Sequence, residues 1–85
     1  MFHVYILYSV ITDRYYVGQT ANLEDRLKRH NQGRSKYTKS GIPWKLVFKK
    51  NFENRSDAVK FELKIKSSKS RSELQKYIQS DNNEI

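Results

Sequence analysis

The chain has 85 residues, no cysteine, and 17 Lys+Arg against 9 Asp+Glu, for a formal net charge of +8. That length makes one domain with a small core, burying about 60–65% of its unfolded surface. The composition excludes disulfides and thiolate metal sites, and no run approaches the ~20 apolar residues of a membrane span.

The charge excess points to a polyanionic partner, nucleic acid before a membrane, since no basic helix carries a Trp/Phe/Leu insertion face. Solubility alone would also explain it. Met1–Ile6 has neither a basic leader nor a long apolar run, so no signal peptide is expected. A cytoplasmic protein is the expectation.

In chain order, Phe2–Ser9 predicts a first strand. Both of its alternating sets are apolar, Phe2, Val4, Ile6 and Tyr8 against His3, Tyr5 and Leu7, which suits a central strand covered on two sides. Val10–Asp13 is short enough to close a hairpin onto a second strand, Arg14–Gln19. An even-numbered loop puts Tyr5 and Tyr16 on one face of the pair, because side chains alternate with a period of two. His3 shares that face and reads as an exposed strand-end histidine.

A helix follows over residues 22–32. Asn22 caps it, Glu24 and Asp25 suit its positive end, and Gly33 stops it. Leu23 and Leu27 face the core, with Arg26 and His30 one turn apart on a flank of that stripe. Arg34–Ile42 is a polar loop, and Pro43 opens a third strand. There Trp44, Leu46 and Phe48 alternate with Lys45, Val47 and Lys49, predicting one strongly apolar face.

A second helix starts at Arg55–Ser56, with Ala58, Phe61 and Ile65 apolar and Glu62 among them. No basic residue is marked out as its partner. Ser67-Ser68-Lys69 joins it to a third helix, opened by the capping box Ser70-x-x-Glu73 and carrying Leu74, Tyr77 and Ile78. Residues 1–80 form the domain, and 81–85 are expected to fray. The order β-β-α-β-α-α makes an α+β fold, a small three-stranded antiparallel sheet flanked by three helices.

Two tripeptides on adjacent strands, Val4-Tyr5-Ile6 and Tyr16-Val17-Gly18, precede Arg26 ten residues after Tyr16, His30 one turn later and Glu62 on a later helix. This ordered set resembles the GIY-YIG nuclease superfamily, and more narrowly its small stand-alone bacterial members. The resemblance covers residues 2–67. Val4 and Val17 depart from the family's glycine and isoleucine, apolar changes a strand tolerates.

The resemblance implies the strand order β2-β1-β3 and a metal-dependent endonuclease that hydrolyses DNA with water and leaves a 5′-phosphate. It implies catalytic roles for Tyr5, Tyr16, Arg26, His30 and Glu62. Glu62 would be the ligand of Mg²⁺, or of Mn²⁺ in its place, hard cations that take oxygen ligands and keep several waters. One tyrosine would help to activate water and the other would hold phosphate. Tyr5 is favoured as the base, although an unperturbed phenol at a pKa near ~10 is a poor one. Arg26 would clamp phosphate with its planar fork, and His30 would bond a tyrosine or accept a proton.

Each residue has a plainer alternative: a half-buried strand tyrosine, a solvated helix arginine, a histidine at a helix C-terminus, a boundary glutamate. Gly18 would let substrate approach the backbone, or is a bulge glycine. Arg34, Lys36 and Lys39, with Tyr37 between them, suit backbone contact and base stacking. Lys64, Lys66, Lys69 and Arg71 extend the track or are a solvated face. The rival function is a non-catalytic nucleic-acid-binding module on the same scaffold. No obligate protein partner is indicated.

Overall fold

A computed structural model describes residues 1–67 and 70–85. The element order is β1 (Phe2–Ser9), β2 (Arg14–Thr20), α1 (Leu23–Asn31), a 3-10 turn (Lys39–Gly41), β3 (Trp44–Phe52), α2 (Arg55–Lys66) and α3 (Arg71–Ile78). The three strands pair antiparallel in the order β2-β1-β3, with β1 central. None of the described helices is long and apolar enough to cross a membrane.

The hairpin register pairs Tyr5 with Gly18 and Leu7 with Tyr16, so the two tyrosines share a face. Asp13 closes the turn at φ 52°, a left-handed conformation that aspartate tolerates better than most residues. Asn22, Asn54 and Ser70 cap α1, α2 and α3, each side chain accepting the N–H three residues on.

The doubly apolar β1 divides the core. On one face Val4 and Ile6 pack with Phe48, Ala58 and Ile65, joined by Phe61, Leu74, Tyr77 and Ile78 from α2 and α3. On the other Tyr5, Leu7 and Trp44 pack with Tyr16, Leu23, Leu27, Ile42 and Leu46 under α1. The single apolar face expected of β3 is not what forms. Opposite β1, Ile6 pairs with Phe48 but Leu7 pairs with Leu46, so the register slips by one residue at Val47. An extra residue in one strand reverses the alternation beyond it. Phe48 therefore joins the α2–α3 core while Trp44 and Leu46 join the α1 core.

Two other expectations change. Within the tail expected to fray over 81–85, Asn83 and Glu84 bond to β3: the Glu84 N–H donates to Lys49 O at 2.9 Å, and Asn83 Nδ2 donates to Val47 O at 3.0 Å. The Lys49 and Asn51 N–H groups donate to Asn83 Oδ1 and Glu84 Oε2. The tail thus satisfies the outer edge of β3. Arg71 is no free member of a basic track. Its guanidinium donates to both carboxylate oxygens of Asp13 at 3.0 and 2.9 Å and to Asp13 O at 2.6 Å. It lies 5.7 Å from the Tyr15 ring and straps α3 to the hairpin turn. Lys69 and the centre of the Ser67-Ser68-Lys69 joint lie outside the described residues.

Candidate nucleic-acid site

Strand alternation delivers Tyr5 and Tyr16 to the α1 face, and α1 lays its flank across them. Tyr5 is 1% exposed and His30 2%. Their ring centroids are 6.2 Å apart, those of Tyr16 and His30 4.8 Å, and those of Tyr5 and Tyr16 6.3 Å. Tyr5 reaches this position through Gly18. A Cβ on Gly18 would stand 2.6 Å from Tyr5 Oη and 2.8 Å from its Cζ, closer than heavy atoms approach. Gly18 is itself buried. The space above it is filled by the Tyr5 phenol, so the glycine admits that ring rather than an incoming substrate.

His30 sits in a defined hydrogen-bond chain. Its Nε2 is 3.2 Å from Tyr5 Oη, and its Nδ1 is 2.8 Å from Thr38 Oγ1. The Thr38 hydroxyl donates to Ser35 O at 3.5 Å, which leaves its oxygen to accept from Nδ1–H. With the proton on Nδ1, His30 donates to Thr38 Oγ1 and its Nε2 accepts from the Tyr5 hydroxyl, the tautomer that lets all three groups bond at once. Thr38 is 1% exposed, and its carbonyl accepts Trp44 Nε1–H at 2.6 Å.

The electrostatics agree with that assignment. Burial, then the charges of Arg26 and Arg29, hold the His30 pKa below its ordinary value, so it is neutral near pH 7. Burial pushes the Tyr5 phenol well above its ordinary value. Tyr16 and Glu62 add to the shift and Arg26 opposes it. Tyr5 is therefore a protonated donor, and the expectation that it is the phenol closer to acting as a base gives way. Burial outweighs the one cation that favours a phenolate.

Tyr16, Arg26, Arg29, His30, Arg34 and Ser35 line one cavity of about 220 Å³. Three of the six are arginines and none is acidic. Tyr5 does not line the cavity but is bonded to His30, which does. Glu62 is near enough for its charge to act on Tyr5. Contrary to the expected lack of a partner, Glu62 pairs with Lys66 at 3.1 Å, with 15% of the Glu62 side chain exposed. Of the other anticipated contacts, Tyr37 lines a neighbouring cleft, while Lys36 and Lys39 stand exposed and line neither cavity. His3 is half-buried and bonds the Asn51 side chain. Among the described residues no group of three or more His, Asp or Glu side chains gathers as a metal cluster.

Sequence reasoning missed Arg29 and Thr38. Arg29 follows Arg26 by three residues, so helical spacing could have found it. Nothing in the sequence marks Thr38, because a loop carries no periodicity.

Comparison with known proteins places these features. The family model described as GIY-YIG catalytic domain matches residues 1–77. A UPF0213 protein of Clostridium perfringens is 45% identical over 67 residues, covering 78% of this chain and 71% of that protein. A UPF0213 protein of Lactococcus lactis is 48% identical over 48 residues, covering 55% of this chain. The match spans 49% of that relative's length, about half of it. The solution NMR structure of the UPF0213 protein BH0048 of Bacillus halodurans superposes with a TM-score of 0.61 at 28% identity, covering 96% of this chain and 87% of that one.

Proposed function

The chain belongs to the GIY-YIG catalytic-domain family, and from that premise we propose that it binds nucleic acid by seating a backbone phosphate in the Tyr16 cavity. The observation that carries this is the lining: Arg26, Arg29 and Arg34 around about 220 Å³ with no opposing carboxylate. Guanidinium forks match phosphate oxygens and remain charged at any working pH. DNA is the expected partner.

A second reading, metal-dependent phosphodiester hydrolysis, is favoured by a separate observation. Tyr5, Tyr16, Arg26 and His30 converge, and the Glu62 charge reaches Tyr5. Electrostatic binding needs no such hydrogen-bonded Tyr–His pair.

The family implies a hard divalent cation. Glu62 fits one: it is a single, nearly buried carboxylate whose partner Lys66 has a half-exposed side chain free to swing away. A hydrated Mg²⁺ requires only one or two carboxylates. Glu62 would hold it, and the bound cation would polarise the phosphoryl oxygen.

The chain's own groups do the rest. Arg26 and Arg29 fix the phosphate, and Tyr16 lines the same cavity. Of the groups there, His30 is the one with an unprotonated ring nitrogen at neutral pH, and that nitrogen faces Tyr5 Oη. As the water oxygen bonds to phosphorus and the P–O3′ bond breaks, the water's proton passes to Tyr5 Oη while Tyr5 passes its own to His30 Nε2, and the departing 3′-oxygen takes its proton from solvent. Tyr5 never becomes a phenolate, and His30 ends as imidazolium with Nδ1–H still on Thr38.

The test is a labelled oligonucleotide titrated at rising salt, then incubated with Mg²⁺ or Mn²⁺. For about 4–6 phosphate contacts on a duplex, log K should fall with log salt at a slope of about −4 to −5. Arg26→Ala should weaken binding and abolish most cleavage. Glu62→Gln should keep metal-free binding while losing cleavage and any metal-dependent rise in Tm. Salt-independent affinity would sink the phosphate site. Undiminished cutting by either variant would sink the role given to that residue, and absence of metal-dependent cutting by the wild type would sink the hydrolytic reading.

A further inference from the structure

A second cleft of about 430 Å³ adjoins the arginine cavity, lined by Thr12, Arg14, Tyr37, Ser40 and Trp44. Its outermost member is anomalous. Tyr37 is 91% exposed, more than any other large hydrophobic side chain described. An aromatic ring held in water forgoes the burial that usually places it.

This ring does not sit on a loose loop. Its neighbour Thr38 is 1% exposed and bonded at His30 Nδ1 (2.8 Å), Trp44 Nε1 (2.6 Å) and Ser35 O, to which the Thr38 N–H donates at 3.2 Å. With Thr38 pinned inward, Tyr37 is presented outward. The two cavities lie close together: Tyr16 lines one, Trp44 the other, and their ring centroids are 6.5 Å apart, edge to face.

We infer that this cleft is a nucleobase subsite, in which an unpaired base next to the seated phosphate stacks on Tyr37 beside Arg14. The chemistry selects the occupant. An exposed aromatic face next to a guanidinium suits a flat π-surface with polar edges, and such stacking tolerates any base. A phosphate alone has no use for the ring, and an apolar group would make no use of Arg14 and Ser40. A base within a duplex is already stacked on both faces, so the ligand must be single-stranded or frayed at that nucleotide. The inference rests on the arginine cavity being the phosphate site.

Trp44 is the only tryptophan in the chain, so its fluorescence reports on this cleft. The experiment titrates the metal-free protein with a short single strand and with the same strand carrying abasic sugars. The intact strand should change Trp44 emission and bind about tenfold more tightly than the abasic one. Tyr37→Ala should erase that difference while Tyr37→Phe keeps it. Arg26→Ala should weaken both strands alike. Equal affinity for the two strands, or Tyr37→Ala binding the intact strand as wild type does, would overturn the base subsite and leave the phosphate site standing. Failure of both strands to bind would overturn both.

Discussion

Thr38→Val tests the hydrogen-bond chain behind the site. The substitution keeps the shape of the side chain and removes the oxygen 2.8 Å from His30 Nδ1 in a position 1% exposed. His30 cannot turn to water, being 2% exposed itself. Its Nδ1–H is left unpaired, at a cost of about 1–3 kcal/mol for a buried donor. In a domain of this size 1 kcal/mol moves Tm by about 4–8 °C, so a mid-range cost of about 2 kcal/mol lowers it by roughly 8–16 °C. The ring has one escape, to shift its proton to Nε2. Tyr5 would then have to accept where it had donated, and the relay would lose its acceptor. ¹⁵N shifts of the His30 ring distinguish these states, and thermal denaturation gives the cost. Thr38→Ser should restore both. A Thr38→Val protein that melts within about 0.5 kcal/mol of wild type, the range of ordinary surface changes, and keeps the Nδ1–H form would refute the assignment.

Gly18→Ala should cost about 1–3 kcal/mol as an overpacking change and move Tyr5 off His30, since the new Cβ falls 2.6 Å from Tyr5 Oη. Denaturant unfolding and the ¹⁵N shift of His30 Nε2 check the two parts. Acid should destabilise the domain through His30. Its folded pKa lies below the unfolded value near 6.5, so its contribution is full above that value and is lost as pH falls from there through the folded pKa. A Tm profile from pH 8 to 5 should show this loss, and an NMR titration should place His30 below 6.5; a His30 that titrates at or above 6.5 would reverse the sign.

What the sequence made legible was local. Tyr5 and Tyr16 came together because a short, even-numbered loop fixes a hairpin, and Asn22 and Ser70 cap their helices because a side-chain oxygen three residues before a free N–H has one obvious use. The slip at Val47 was not legible. Trp44, Leu46 and Phe48 alternate perfectly, and only the need to fill two cores at once divides them. Glu62 and Lys66 stand at the spacing of a helical ion pair, so their contact could have been read and was passed over. Thr38 and the seating of the tail on β3 are long-range facts. Each joins segments whose proximity exists only after the sheet has formed, and the polar residues involved look like any others in a loop or at a chain end.

The tail bears on how this protein behaves among copies of itself. β3 is an outer strand, and an outer strand with unspent N–H and C=O groups is a template for another chain. Asn83 and Glu84 occupy the groups of Val47, Lys49 and Asn51 that would recruit one. They do so as a short segment with little pairing surface of its own. The arrangement works as an intramolecular guard against sheet-to-sheet growth, which matters for a chain that would concentrate many copies along one polyanion.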